Sequence, residues 1–160
     1  MIPEPRYPAK ICGAEDALAR IAALPRPRVF TNGVFDILHR GHVTYLEQAR
    51  ALGASLIVAI NSDASARRLG KAADRPLNAQ EDRMAVVAAL GAVDLVVPFD
   101  TDTPRDLVAT ALPEIIVKGG DYTANTTAGA AEVIAAGGRF VAIPFRHDRS
   151  TTALVDRIRG

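Results

Sequence analysis

From residue 28 onward, short apolar runs alternate with longer stretches in which apolar residues return every three or four positions. The runs predict strands at 28–32, 55–61, 95–98, 115–118 and 139–143, and the periodic stretches predict helices at 42–52, 80–90, 103–111, 127–136 and 151–158. The runs at 56–60 (LIVAI) and 115–117 (IIV) are apolar without alternation, the pattern of a strand covered on both faces. Gly53, Gly91 and the pair Gly137 and Gly138 fall where helices should end. Strands and helices alternating in this way predict one α/β domain with a parallel sheet and right-handed crossovers. In such sheets ligands bind beyond the carboxyl ends of the strands, where strand order reverses. Prolines at 3, 5, 8, 25 and 27 fence off residues 1–27, within which 14–24 has helical spacing. That segment is expected to be an arm and an extra helix on the rim of a domain spanning 28–160.

Composition narrows the field. The chain has 160 residues, 49% hydrophobic and 23% charged, which suffices for one ordinary core without staples. A formal charge of +1 gives no reason to expect nucleic acid or an acidic membrane surface as partner. With Cys12 alone, no disulfide can form within the chain. The opening residues lack a signal-peptide pattern, and no apolar run approaches a membrane span. A soluble cytoplasmic protein is the expectation.

The candidate chemistry sits directly after the first predicted strand, in Thr31-Asn32-Gly33-Val34-Phe35-Asp36-Ile37-Leu38-His39-Arg40-Gly41-His42. A glycine there lets backbone approach a ligand closely. His39 and His42 are three apart at a helix start, hence on one helical face. Two imidazoles, unpaired backbone N–H groups and the positive end of the helix dipole then converge on one spot, which makes an anion site suited to phosphate. Zinc would need a third protein ligand, and neither His147 nor Cys12 is placed to supply it. The plainer alternative leaves both histidines as capping or packing residues.

Gly33-x-Phe35-Asp36 followed by His39-x-Gly41-His42 resembles the His-x-Gly-His signature of the cytidylyltransferase-like nucleotidyltransferases. The resemblance extends from Arg28 to the end of the chain. It implies a Rossmann-like domain with a five-stranded parallel sheet flanked by helices, binding a nucleoside triphosphate. Asn32, Gly33, Phe35 and Gly41 then fall at the nucleotide, with His39 and His42 at its α-phosphate. Near the other strand ends, Asp63 is a candidate for a sugar hydroxyl or a helix cap. Lys71 and Arg75, in a segment broken by Gly70 and Pro76, are candidates for phosphate. Arg67 and Arg68 read as a solvated helix face, and Arg83 as an exposed helix residue beside Glu81 and Asp82, although the family pattern often has an arginine at that position. Lys118 and Gly119 end a central strand at the ligand edge, where Gly119 and Gly120 suggest backbone contact with nucleotide. Arg149, Ser150 and Thr151 open the last helix and resemble the family's Ser-Thr-Thr motif at the triphosphate. Ser150 by itself also reads as a plain N-cap.

Within the superfamily the chain most resembles the heptose 1-phosphate adenylyltransferases. That resemblance rests on the histidine segment, Asn61-Ser62-Asp63, Arg75-Pro76-Leu77-Asn78, Val117-Lys118-Gly119-Gly120-Asp121-Tyr122 and Arg149-Ser150-Thr151-Thr152. It implies transfer of AMP from ATP to D-glycero-β-D-manno-heptose 1-phosphate, giving ADP-heptose and pyrophosphate for lipopolysaccharide core assembly. Catalysis would rest on His39, His42 and Lys71. Asp36, Asp63 and Arg75 would lie toward the acceptor, and Asp36 serves alternatively to order the histidine loop. Mg²⁺ would be held mainly by ATP phosphates, and relatives commonly form dimers. The alternatives are a CTP-dependent glycerol 3-phosphate cytidylyltransferase and a nucleotide-binding module without turnover.

Overall fold

A computed structural model of the chain describes residues 1–70, 73–146 and 150–159. Its strands are β1 (Arg28–Gly33), β2 (Ser55–Asn61), β3 (Leu95–Phe99), β4 (Ile115–Gly119) and β5 (Arg139–Ile143). They form one sheet in the order β3-β2-β1-β4-β5, and every pairing is parallel. The helices are α1 (Ala17–Ala22), α2 (Arg40–Arg50), α3 (Asp63–Arg68), α4 (Gln80–Ala88), α5 (Arg105–Ala111), α6 (Ala130–Ala135) and α7 (Thr151–Arg159). No helix among the described residues is long and apolar enough to cross a membrane.

The unalternating strands are apolar because successive side chains serve two different cores. On β2, Leu56, Val58 and Ile60 join Val29, Leu46, Met84 and Val87 on the face covered by α2 and α4. Their neighbours Ile57 and Ala59 join Ile21, Phe30, Val108, Ile116 and Val133 on the face covered by α1, α5 and α6. A strand buried on both faces has no polar side to show. Gly137 ends α6 with φ of 88°, a backbone angle glycine adopts without a Cβ penalty.

Three local expectations are revised. The N-terminal segment does more than sit on the rim: Ile21 is fully buried, α1 packs on α5 and β3, and the Cys12 amide donates to the Val96 carbonyl at the β3 edge (3.2 Å). The helix face expected at Arg67 and Arg68 is present as α3, but its cap is Ser62 and not Asp63: Ser62 accepts from the Ser65 amide, and Arg68 on the helix flank donates to Asp102 (2.6 Å). The predicted helix 127–136 begins only at Ala130, because Thr123 and Thr126 first cap a short 3-10 turn at Ala124–Thr126.

At the edge of the sheet opposite the cleft described below, Glu114 ties strand starts together. Its carboxylate accepts from the backbone amide of Arg28 (2.7 Å) and from its guanidinium (3.1 and 3.2 Å), and it also pairs with Arg26. Burial pushes this carboxyl up, but the Arg28 hydrogen bonds and charge outweigh it and hold the pKa down at about 2, against an ordinary 4.5. A pKa lowered by folding contributes stability above about pH 4.5, and that contribution fades as pH falls towards 2. Glu114→Gln should therefore cost about 2 kcal/mol at pH 7 in urea unfolding, with the two proteins converging near pH 2. A constant difference across that range would contradict the assignment.

Candidate active site

β1 pairs with β2 along its whole length, from Arg28 to Gly33. With β4 it pairs only at Val29↔Ile115 and Phe30↔Ile116. Beyond those residues the two central strands part, at the point where the strand order reverses, and a cleft of about 340 Å³ opens between their carboxyl ends. The Lys118 ammonium crosses the split and donates to the Asn32 carbonyl (3.0 Å). It also lies 5.5 Å from the centre of the Tyr122 ring.

One wall of the cleft is the turn from β1 into α2. His39 is the N-cap of α2, with its Nδ1 accepting from the Gly41 amide (3.1 Å). Nδ1 of His42 in turn accepts from the His39 amide (3.3 Å). This is a reciprocal capping box in which imidazole nitrogens replace the usual hydroxyl and carboxylate. An accepting Nδ1 carries no proton, so the proton of each neutral ring lies on Nε2. The capping reading and the phosphate reading are thus compatible, because the cap fixes the tautomer that donates from the far edge. The rings stack at 3.9 Å between centroids, and His42 also packs on Phe35 (5.4 Å). Gly41 is required sterically: a Cβ there would lie 2.9 Å from Nδ1 and Cε1 of His39 and displace the cap.

Phe35 has φ of 50°, a left-handed backbone that costs a bulky residue about 1 kcal/mol or more. Contacts on both sides hold it there. Before it, the Val34 carbonyl accepts from Nη1 of Arg83 (2.7 Å). After it, the Asp36 carboxylate accepts from the amides of Leu77 and Asn78 (2.9 Å each) and from Nε of Arg75. Burial pushes the Asp36 carboxyl up, yet the Asn78 and Leu77 amides and Arg75 outweigh it and keep it below the ordinary carboxylate range. It is therefore an ionised acceptor at neutral pH.

The opposite wall is the start of α7. Ser150 Oγ accepts from the Ala153 amide (3.0 Å), as an N-cap does. The Thr151 hydroxyl donates to the Ile37 carbonyl (3.0 Å), tying α7 to the histidine turn. Two helix N-termini thus border one cleft, each with backbone donors and positive dipole.

Of the residues singled out in the sequence, Asn32, Gly33, Phe35, Asp36, His39, Gly41, His42, Arg75, Lys118, Gly119, Ser150 and Thr151 all line this cleft. Lys71 and Arg149 lie outside the described residues. Asp63 is placed elsewhere: it is not in the lining, Ser62 supplies the cap of α3, and its carboxylate pairs with Arg83 (2.8 Å). Arg83 itself is corrected from an exposed position to a fully buried one. The expected ligand face of Gly119 and Gly120 is covered by the Phe145 ring, 2.6 Å from where either Cβ would stand.

Five lining residues were not singled out in the sequence: Val34 and Thr152, which adjoin expected ones, and Tyr45, Tyr122 and Phe145. Tyr45 is one helical turn beyond His42, a spacing that could have found it; burial raises its phenol, which bonds to Thr31 Oγ1 (2.7 Å). Tyr122 and the two-thirds exposed Phe145 add apolar surface at the mouth. A wider groove of about 660 Å³ lies along α5 and α6, but its cation, Arg105, is spent on Glu132 (2.6 Å). No group of three or more His, Cys, Asp or Glu gathers as metal ligands among the described residues. The cleft therefore offers a phosphate-sized anion two helix starts and two imidazoles.

His42→Asn separates the two jobs of that side chain. Asparagine retains an acceptor near Nδ1 for the cap but has no donor at the Nε2 position. If Nε2 serves a developing charge, turnover should fall about 10²- to 10³-fold with the unfolding midpoint nearly unchanged. A parallel loss of both would mean the histidine is a cap and nothing more.

The comparisons with known proteins agree with this geometry. The sequence model described as cytidylyltransferase-like matches residues 30–157. D-beta-D-heptose 1-phosphate adenylyltransferase of Bordetella bronchiseptica is 58% identical over 156 residues, covering 96% of each chain. Bifunctional protein HldE of Shewanella sp. is 57% identical over 130 residues, 81% of this chain but 27% of that protein. Among solved structures, the lipopolysaccharide core biosynthesis protein of Thermoplasma volcanium aligns with a TM-score of 0.61 at 29% identity, covering 76% of this chain and 98% of that one. Pantothenate synthetase of Thermus thermophilus, at 19% identity and a TM-score of 0.57 over 84% of this chain and 61% of that one, shares the fold alone. With a match that runs from β1 into α7 and a histidine cap at its cleft, the chain belongs to the cytidylyltransferase-like family.

Proposed function

We propose that the chain is an adenylyltransferase that moves AMP from ATP to D-glycero-β-D-manno-heptose 1-phosphate, releasing pyrophosphate. The observation that carries the reaction class is the pair of imidazoles with accepting Nδ1 atoms at the mouth of α2, facing a cleft bordered by a second helix start. The 58% identity to a heptose 1-phosphate adenylyltransferase over nearly the whole chain supports the choice of acceptor and of adenine.

The chemistry needs no protein nucleophile. An oxygen of the sugar phosphate is already anionic at neutral pH; it attacks the α-phosphorus in line, forming the new P–O bond. The bond from that phosphorus to the bridging oxygen breaks, and its electron pair leaves on pyrophosphate. The protein's part is to align the partners and to meet charge that grows on the α-phosphate and the leaving group. His39 and His42 donate from Nε2 to the α-phosphate. The N-terminus of α7, with Ser150 and Thr151, takes the β- and γ-phosphates, and Thr151 exchanges its bond to Ile37 for one to phosphate or contributes its amide alone. On the resemblance, Lys71 and Arg149 add charge to the same triphosphate.

Asp36 is the single carboxylate among the described lining residues, and backbone amides and Arg75 already occupy it. That donor set suits a Mg²⁺ that arrives on the triphosphate rather than one caged by the chain; when bound, it neutralises charge on the leaving group.

Pyrophosphate release tests this directly. With heptose 1-phosphate as acceptor, ATP should be preferred to CTP by at least about tenfold in kcat/KM, and glycerol 3-phosphate should turn over poorly with either. A preference for CTP with glycerol 3-phosphate would retain the reaction and overturn the substrate. Nucleotide binding without release for any acceptor would overturn the enzyme.

A further inference from the structure

The Arg83 side chain is 0% exposed, and its charge partner is one carboxylate, that of Asp63. A planar guanidinium so deeply buried has to be satisfied by a fork of acceptors. Here the acceptors come from three separate segments: Nη1 takes the Val34 carbonyl (2.7 Å), Nη2 the Asn61 carbonyl (2.9 Å) and Asp63 (2.8 Å), and Nε the Asn78 carbonyl (3.0 Å). Asn78 continues the connection. Its amide donates to the Asp36 carboxylate (2.9 Å), and its side-chain Nδ2 donates to the Asp36 carbonyl. The left-handed residue Phe35 thus sits between Val34, held by Arg83, and Asp36, held by Asn78. Directly beyond this turn comes His39, the cap of α2.

We propose that Arg83 and Asn78 are positioning residues for the transfer. They hold the Val34–Asp36 turn in its left-handed form and thereby set the aim of the two imidazoles, without touching either substrate. Strain at a functional turn persists only where the surroundings over-determine it, and these two side chains lock both flanks from α4 and the loop before it. The inference rests on the reading that His39 and His42 serve the α-phosphate. It also accounts for Asp63, which neutralises the buried guanidinium, and for Arg75, which joins the same network through Asp36.

Asn78→Ala is the informative variant, because this exposed residue keeps its backbone bonds to Asp36 and Arg83 and loses only the Nδ2 bond. We expect kcat to fall about three- to tenfold, the worth of one neutral hydrogen bond, with KM for ATP and the unfolding midpoint nearly unchanged. Histidine ¹⁵N spectra of the substrate-free protein should show His39 and His42 as Nε2–H tautomers in the wild type and a mixture in the variant. Arg83→Lys, which keeps the charge and loses the fork, should lower kcat further, about 10²-fold, in whatever fraction remains folded. Wild-type kcat and tautomers in Asn78→Ala would overturn the proposal, as would a rise in KM alone, which would make Asn78 a substrate contact. The spectra need no acceptor, so an error over heptose 1-phosphate would silence the kinetics in every protein yet leave the tautomers to decide the positioning role.

Discussion

Beyond Phe30 and Ile116 the two central strands give up their shared ladder, and the backbone groups so released must be satisfied by something else. Part of the answer is internal, since the Lys118 ammonium reaches across to the Asn32 carbonyl. The rest of the opening is a cleft whose walls are two helix starts, each turning the positive end of its dipole towards it. A gap between parallel strands thereby becomes a cleft whose electrostatics suit an anion. The apolar faces of β1, β2 and β4 hold the gap at a fixed width, because each is buried in both cores and cannot shift without disturbing two sets of helices.

The histidine turn adds chemistry to that electrostatic site through an economy of atoms. One nitrogen of each imidazole is used to start α2, and this use dictates where the other nitrogen carries its proton. On the proposed function, helix formation and substrate recognition are coupled in the same two side chains. Asp36, which carries negative charge at an anion site, fits because its charge is turned away: amides of Leu77 and Asn78 and the Arg75 guanidinium consume it. The acidic residue closest to the histidines builds the loop.

How much of this the sequence disclosed depended on whether the governing interaction was local. Strand positions were legible to within a residue, since burial on both faces leaves an unbroken apolar run, as in β2. The convergence of His39, Gly41 and His42 was legible because a helix start and a three-residue spacing suffice to predict it. The short helix α3 was legible only as a solvated face at Arg67 and Arg68, and neighbouring polar residues hid which of them, Ser62, caps it. Arg83 was illegible: what buries it are three carbonyls brought together by the tertiary fold. Asp63 and Arg75 have the residue types of a ligand site, and only the fold reveals that each has a protein partner. The ring of Phe145 on Gly119 and Gly120 is likewise a meeting of distant segments that no spacing encodes.

The most direct test of this account is a crystal structure with Mg²⁺ and an ATP analogue whose α,β-bridging oxygen is replaced by methylene. The account predicts the α-phosphate within about 3 Å of Nε2 of His39 or His42, and the β- and γ-phosphates against the first turn of α7. A triphosphate seated in the groove along α5 and α6, or an α-phosphate out of reach of both imidazoles, would contradict it.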